Sequence, residues 1–156
     1  MVKLIPLTQK EFDDFLEHDI RVYAQERTQA GFWSEAEAIT RSRKEHKALL
    51  PDGLRSRYHH LYTIRESEQG EALGVLWLKT DFDTSRATGF IFDIEIHEPH
   101  RRKGFAREAM HELENVSRGM GLRQLGLHVF AHNEAARALY EELGYQVASM
   151  NMLKDI

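Results

Sequence analysis

The chain has 156 residues, 42% of them hydrophobic and 29% charged, which is the size and balance of one globular domain with a substantial core. A formal net charge of −4 argues against bulk affinity for nucleic acid, so any anion site must be local. The absence of cysteine excludes disulfides, thiolate metal ligands and a cysteine nucleophile, and with no signal-peptide pattern at the start and no apolar run near the roughly 18 residues of a membrane span, a cytoplasmic protein without a membrane partner is expected.

Lys3 to Leu7 reads as a short edge strand. Thr8, with Glu11 three residues on, forms a capping box, and Phe12, Phe15, Leu16, Ile20, Tyr23 and Ala24 mark the apolar face of the helix behind it. Gly31 breaks that helix. Ser34 with Glu37 opens a second one, running to about Leu50, and Pro51-Asp52-Gly53 is a turn. His60 to Glu66 and Ala72 to Thr80 look like a hairpin, and a looser loop over 81–88 leads to a strand from Phe90 to His97. Phe105, Ala106, Ala109, Met110, Leu113 and Val116 recur at helical spacing up to Gly119 and Gly121. Gln124 to Phe130 is a strand, Glu134 to Leu143 a helix ended by Gly144, and Tyr145 to Leu153 a last strand. The order suggests an α/β sandwich around a mixed sheet.

The segment from Phe90 to Ala106 carries the most chemistry. Strict alternation sets Phe90, Phe92, Ile94 and Ile96 on one face of the strand, and Ile91, Asp93, Glu95 and His97 on the other. Three titratable groups on one face invite a raised carboxyl pKa and a general base, with Glu95 favoured over Asp93; an open cleft or pairing with arginines is the plainer alternative. His97, whose ordinary pKa is near 6.5, is a further candidate base, or a residue that steadies the turn. Behind the strand, Arg101, Arg102, Lys103 and Arg107 crowd a helix start, where the dipole ordinarily favours acids. Free backbone N–H groups and excess cations there suit phosphate.

A second cluster runs from His128 to Tyr140. Asn133 sits at a helix N-cap and Tyr140 two turns on, and periodicity alone reads them as a cap and a core residue. The nine histidines show no metal-ligand spacing with carboxylates on a helix, so no metal is expected.

Arg101-x-x-Gly104-x-Ala106 after an apolar strand resembles the acyl-CoA signature of the GNAT acetyltransferase superfamily, written Gln/Arg-x-x-Gly-x-Gly/Ala. Asn133-x-x-Ala136-x-x-Leu139-Tyr140-Glu141-x-x-Gly144-Tyr145, about 30 residues later, is similar to that family's second motif. The resemblance is firm over Phe90 to Tyr145 and looser over the hairpin before it. It implies a three-layer α/β (α+β) sandwich: a mixed, largely antiparallel central sheet with helices on both faces, in one domain over 1–156. Residues 1–53 would form the acceptor side and 89–145 the acyl-CoA-binding core.

The same resemblance implies an N-acetyltransferase that moves an acetyl group from acetyl-CoA to a primary amine by direct attack in a ternary complex. Backbone N–H groups from about Arg102 to Arg107, through Gly104, Phe105 and Ala106, would cradle the CoA pyrophosphate, with Arg101, Arg102 and Lys103 adding charge. Gly104 would permit close approach. The pantetheine arm would pair with the backbone of Ile94 and Ile96, beside a neighbouring strand splayed to admit the thioester. Asn133 would touch the arm, Tyr140 would be the general acid and Glu95 the base. The acceptor, a small-molecule or protein amine, is not readable; Tyr23, Phe32, Trp33, His59, His60, Tyr62 and Trp77 are candidates for its cleft or for core. Two other readings stand beside this one: a non-catalytic acyl-CoA sensor or regulatory module, and a phosphate-binding turn for nucleic acid, which the net charge disfavours. The oligomeric state stays open, a homodimer included.

Overall fold

The computed structural model describes residues 1–83 and 85–156; residue 84, inside the loop expected over 81–88, lies outside the described residues. Five strands form one sheet in the order β1 (Lys3–Pro6), β2 (His59–Arg65), β3 (Ala72–Asp81), β4 (Thr88–Ile96) and β5 (Gln124–Leu127). Every neighbouring pair is antiparallel except β4 and β5, which run parallel. The helices are α1 (Gln9–Gln29), α2 (Glu35–Leu49), α3 (Phe105–Gly119) and α4 (Glu134–Glu142).

Local chemistry sets these elements as the sequence suggests. Thr8 and Glu11 make the reciprocal capping box of α1, with the Thr8 N–H donating to Glu11 Oε2 at 2.8 Å. Ser34 and Glu37 do the same for α2. On one face of the sheet Phe12 and Phe15 of α1 pack with Leu61 and Trp77. On the other, Ala109, Met110 and Leu113 of α3 pack with Ile64, Leu76, Leu78, Ile91 and Ile96. Each fully buried side chain of that size contributes about 1.5–3 kcal/mol. Helices therefore cover both faces of a mostly antiparallel sheet, as the resemblance implied.

Three expectations fail. Strict alternation along β4 does not hold, because the β3–β4 register jumps between Trp77 and Leu78: Trp77 pairs with Asp93 and Leu78 with Ile91. Phe92 is the unpaired extra residue of a bulge. Phe92 therefore leaves the face of Ile94 and Ile96; its ring stacks on Trp77, centroids 4.9 Å apart, and Phe90 meets it edge-on at 5.3 Å. Ile91 joins Ile96 in the α3-side core, with Ile94 packed against it. The second failure is β5, which ends at Leu127 rather than Phe130. The third is the last strand: residues 145–156 form no ladder.

Candidate active site

The β4–β5 pairing covers only Thr88–Ile91 against Gln124–Leu127. Past Ile91 the two strands part, and β4 runs on to Ile96 paired on its β3 side alone. The expected splay is present. On the paired side the strands come very close at Gly74, where a Cβ would lie 2.1 Å from the Glu95 carbonyl oxygen, so only glycine fits.

The end of β4 feeds the basic turn. Pro99 lies in a single 3-10 turn, Arg102 has φ 62° and Gly104 φ 88°, and α3 begins at Phe105. Left-handed residues in a turn can gather backbone N–H groups into an anion-binding concavity, and this turn holds two of them beside a helix start. Gly104 supplies no side-chain cap, so the first N–H groups of α3 keep their hydrogen-bonding capacity. Arg102 and Lys103 are exposed and form no ion pair among the described residues. A Cβ on Gly104 would meet nothing within 4 Å, so its φ rather than crowding by the protein selects glycine. Arg101 turns back instead: its Nε donates to the Ile96 carbonyl at 2.9 Å and its Nη2 lies 3.4 Å from Glu95 Oε1. Arg107 bridges to Glu142 of α4.

Where β4 and β5 part, a cleft of about 330 Å³ opens toward α1 and α2. Asp19, Glu26, Asp93 and Tyr140 line it, with aromatic walls from Tyr23, Trp77, Phe90, Phe92 and Phe130. Asp93 Oδ2 has no access to solvent and no hydrogen-bond partner among the described residues. Burial pushes the Asp93 carboxyl well above the usual range, and the charges of Asp19, Glu95 and Glu26 add to the rise. Burial and the same neighbourhood push Glu26 up to about 6. Tyr140 is pushed up to about 12, by burial first and then by the charges of Asp93 and Glu26, so its phenol holds its proton firmly. On β4 the cleft thus holds Asp93, a carboxyl of raised pKa. Both Glu95 oxygens are engaged at the end of β4: Oε2 lies 2.8 Å from His18 Nε2 and Oε1 faces Arg101. His97 Nδ1 meets the Ala72 carbonyl at 3.2 Å, a turn-steadying contact.

Asn133 caps α4, its side chain accepting from the Ala136 N–H at 3.3 Å, and it also lines the cleft. Among the aromatic and histidine candidates, Tyr23 and Trp77 reach the cleft. Phe32 and Trp33 instead flank the Arg27 guanidinium, at 4.8 and 5.1 Å from its carbon. His59 accepts from Trp77 Nε1, His60 meets Thr80, and Tyr62 belongs to the α3-side core.

Sequence reasoning missed Asp19, Glu26 and His46. Asp19 and His46 are both buried, and His46 Nε2 lies 2.6 Å from Asp19 Oδ2 while its Nδ1 meets the Ser42 carbonyl at 2.8 Å. The signal was present: Asp19 interrupts the apolar stripe of Phe12, Phe15, Ile20 and Tyr23, and His46 continues the Ala38–Ser42 face of α2. Among the described residues no group of three or more histidine or acidic side chains is arranged to hold a metal ion. No helix is long and apolar enough to cross a membrane.

A bulged β4 that parts from a parallel neighbour above a basic helix start defines an acetyltransferase sandwich, and comparison with known proteins agrees. The family model described as "Acetyltransferase (GNAT) family" matches residues 14–145, and the chain belongs to that family. The uncharacterized N-acetyltransferase YycN of Bacillus subtilis (strain 168) is 37% identical over 155 residues, 99% of each chain. The uncharacterized N-acetyltransferase YdgE of the same strain is 34% identical over 150 residues, 96% of this chain and 95% of its own. The crystal structure of YycN superposes with a TM-score of 0.96 at 36% identity, covering 100% of this chain and 99% of that one.

Proposed function

We propose that the protein transfers an acetyl group from acetyl-CoA directly to a primary amine held in the cleft of Asp19, Glu26 and Asp93. One observation carries this reading: a carboxyl of raised pKa and a firmly protonated phenol line the same small cleft, where β4 loses its neighbour. The reaction needs a proton acceptor and a proton donor on opposite sides of one carbonyl.

An alkylamine of pKa about 10.4 must give up roughly 4–5 kcal/mol to be neutral at pH 7. The acidic cleft draws the ammonium form in, and its aromatic walls suit the attached carbon skeleton or a cation. The ammonium sheds one proton to solvent, and Asp93 takes the second as the nitrogen bonds to carbon. Glu95, acting through a water, is the alternative base; its pairing with His18 and Arg101 makes it the poorer acceptor. The nitrogen lone pair bonds to the thioester carbonyl carbon, the C–S bond breaks with its electrons on sulfur, and Tyr140 O–H protonates the departing thiolate. The amide and the CoA thiol leave, and the proton on the carboxyl returns to the phenol through solvent.

Binding of the donor falls to the backbone. N–H groups of β4 past Ile91, from Ile94 to Ile96, would hold the pantetheine arm and polarise the thioester. The Ile96 carbonyl is already taken by Arg101, so the arm's own donors must look to other carbonyls. The N–H groups from Arg102 to Arg107, through Gly104, Phe105 and Ala106, would hold the pyrophosphate, with Arg102 and Lys103 supplying charge. Asn133 would meet the arm from the α4 side.

The test is release of free thiol from acetyl-CoA across a panel of primary amines, with mass spectrometry of the product. Acetylation of at least one amine, at a rate set by Asp93 and Tyr140, is expected. Tight acetyl-CoA binding with no turnover on any amine would replace this reading with that of a non-catalytic acyl-CoA-binding module.

A further inference from the structure

Asp19, Tyr23, Glu26 and Arg27 share one face of α1 and line the cleft together. The Arg27 guanidinium lies among three aromatic rings: its carbon is 4.8 Å from the Phe32 centroid, 5.1 Å from that of Trp33 and 5.7 Å from that of Tyr23. Its Nε is closed off from solvent and makes no hydrogen bond among the described residues. Arg27 also forms no ion pair among them, although the cleft is rich in acid. Asp19 pairs with His46 instead, and Glu95, at the end of β4, pairs with His18 and Arg101. The Arg27 charge is felt across the cleft, where it adds to the lowering of His128 that burial begins.

Cation–π contact holds the guanidinium in place but leaves its N–H donors to find acceptors elsewhere. A planar fork of donors fixed at a cleft wall fits a carboxylate. A phosphate dianion fits less well, because Glu26 and Glu45 line the same cleft and repel a second negative charge. Position then sets length. About 12 Å of helix separates Asp19 from Arg27, at about 1.5 Å per residue. The Arg27 side chain leans back along α1 onto Tyr23, one turn earlier, which shortens that span without closing it. An amine at Asp19 and Asp93 and an anion at Arg27 therefore stand several bonds apart, too far for two groups on one carbon.

We propose that Arg27 receives a carboxylate of the acceptor, so that the acetylated primary amine stands at the far end of a carbon chain from that carboxylate, as in an ω-amino acid. The inference rests on the reading of this cleft as the acceptor site. It makes the cleft bipolar. The acids around Asp93 take the ammonium, the aromatic walls take the carbon chain, and Arg27 takes the anion. Acidity alone ranks acceptors differently: an acidic cleft favours a net cation, whereas a cleft with an anion site favours the zwitterion of the same length.

Calorimetry on the intact chain, with CoA present, compares 6-aminohexanoate, its methyl ester and hexylamine, and thiol release from acetyl-CoA follows the same compounds. 6-Aminohexanoate should bind at least about tenfold more tightly than the other two and be acetylated with the highest kcat/KM. Arg27→Gln should bring that preference toward one, through lost affinity for 6-aminohexanoate. Arg27→Lys, which keeps the charge and loses the fork, should fall between, with circular dichroism retained in both variants. Equal or weaker binding of 6-aminohexanoate by the wild type overturns the proposal, and that measurement depends on no variant. So does a preference that survives Arg27→Gln. The two readings separate cleanly. Binding of 6-aminohexanoate that depends on Arg27, without acetylation of any of these amines, supports the carboxylate site and counts against acetyl transfer. Acetylation with no preference for the carboxylate supports acetyl transfer and overturns the carboxylate site.

Discussion

His46 Nε2 lies 2.6 Å from Asp19 Oδ2, and the Asp19 carboxylate in turn bears on Asp93 in the cleft. The Ser42 carbonyl fixes a proton on His46 Nδ1, so the Nε2–Oδ2 contact must hold a second proton, on nitrogen or on oxygen. Burial alone would lower the His46 pKa, but the hydrogen bonds to Asp19 and Ser42 outweigh it and leave it raised above 6.5. The native state therefore keeps a proton that the unfolded chain gives up. That stabilisation is complete below 6.5 and is lost as the pH rises through the higher native value. Replacing His46 with Ala leaves a buried carboxylate without its partner, and a loss of about 3 kcal/mol is expected in urea unfolding at pH 6. The variant should also lose the fall in stability with rising pH; an unchanged slope would count against the pair.

Asp93→Asn separates catalysis from stability. The native Asp93 carboxyl titrates well above 3.8, chiefly because it is buried, so its contribution to stability is full below 3.8 and is lost as the pH rises through the native value. At neutral pH and above, an amide of the same shape escapes that cost, and a gain on the order of 1 kcal/mol is expected. Turnover should fall about 10²-fold or more. The acidic limb of the rate profile should vanish with it, whereas Glu26→Gln, at a group titrating at about 6, should only displace that limb. If Asp93→Asn keeps full turnover and Glu95→Gln does not, the base is Glu95.

Tyr140→Phe tests the proton donor. The phenol, pushed up to about 12, stays protonated past the ordinary 10.0, so wild-type turnover should show no alkaline fall from tyrosine ionisation near that value. Removing the hydroxyl should lower kcat about 10²-fold and leave acetyl-CoA affinity from calorimetry unchanged. Full kcat in the variant with a good acceptor removes Tyr140 from the mechanism.

The fold was legible wherever local signals agree: capping residues at Thr8 and Ser34, apolar stripes at helical spacing, and glycines after α3 and α4. The basic turn and the Asn133–Tyr140 motif, being contiguous stretches, were legible as local structure: the turn opens α3 and Asn133 caps α4. What escaped depends on tertiary pairing. The Phe92 bulge arises from the register between β3 and β4 and turns two phenylalanines toward α1 and α2, which alternation within one strand does not encode. The Asp19–His46 pair joins two helices across 27 positions, and only a polar residue on each apolar stripe announces it. The last strand failed for the opposite reason: its composition is right, but a strand exists only where it pairs, and composition alone does not say that it will.

Gly104 offers a test of the turn that keeps backbone and charge apart. At φ 88° an L-residue is strained by roughly 1–2 kcal/mol, while the space around the missing Cβ is open, so Gly104→Ala should fold and bind acetyl-CoA about tenfold more weakly. Gly104→Asp carries the same strain and adds a negative charge at the helix start, beside the N–H groups that would face phosphate. Its affinity should fall well below that of the alanine variant, and the gap between the two should narrow as salt screens the added charge. Arg102→Ala, in contrast, relieves no glycine constraint and removes one exposed cation, so its loss should be smaller and should shrink with salt. If all three variants bind acetyl-CoA as the wild type does, the pyrophosphate lies elsewhere, and the left-handed pair at Arg102 and Gly104 serves only to turn the chain from β4 into α3.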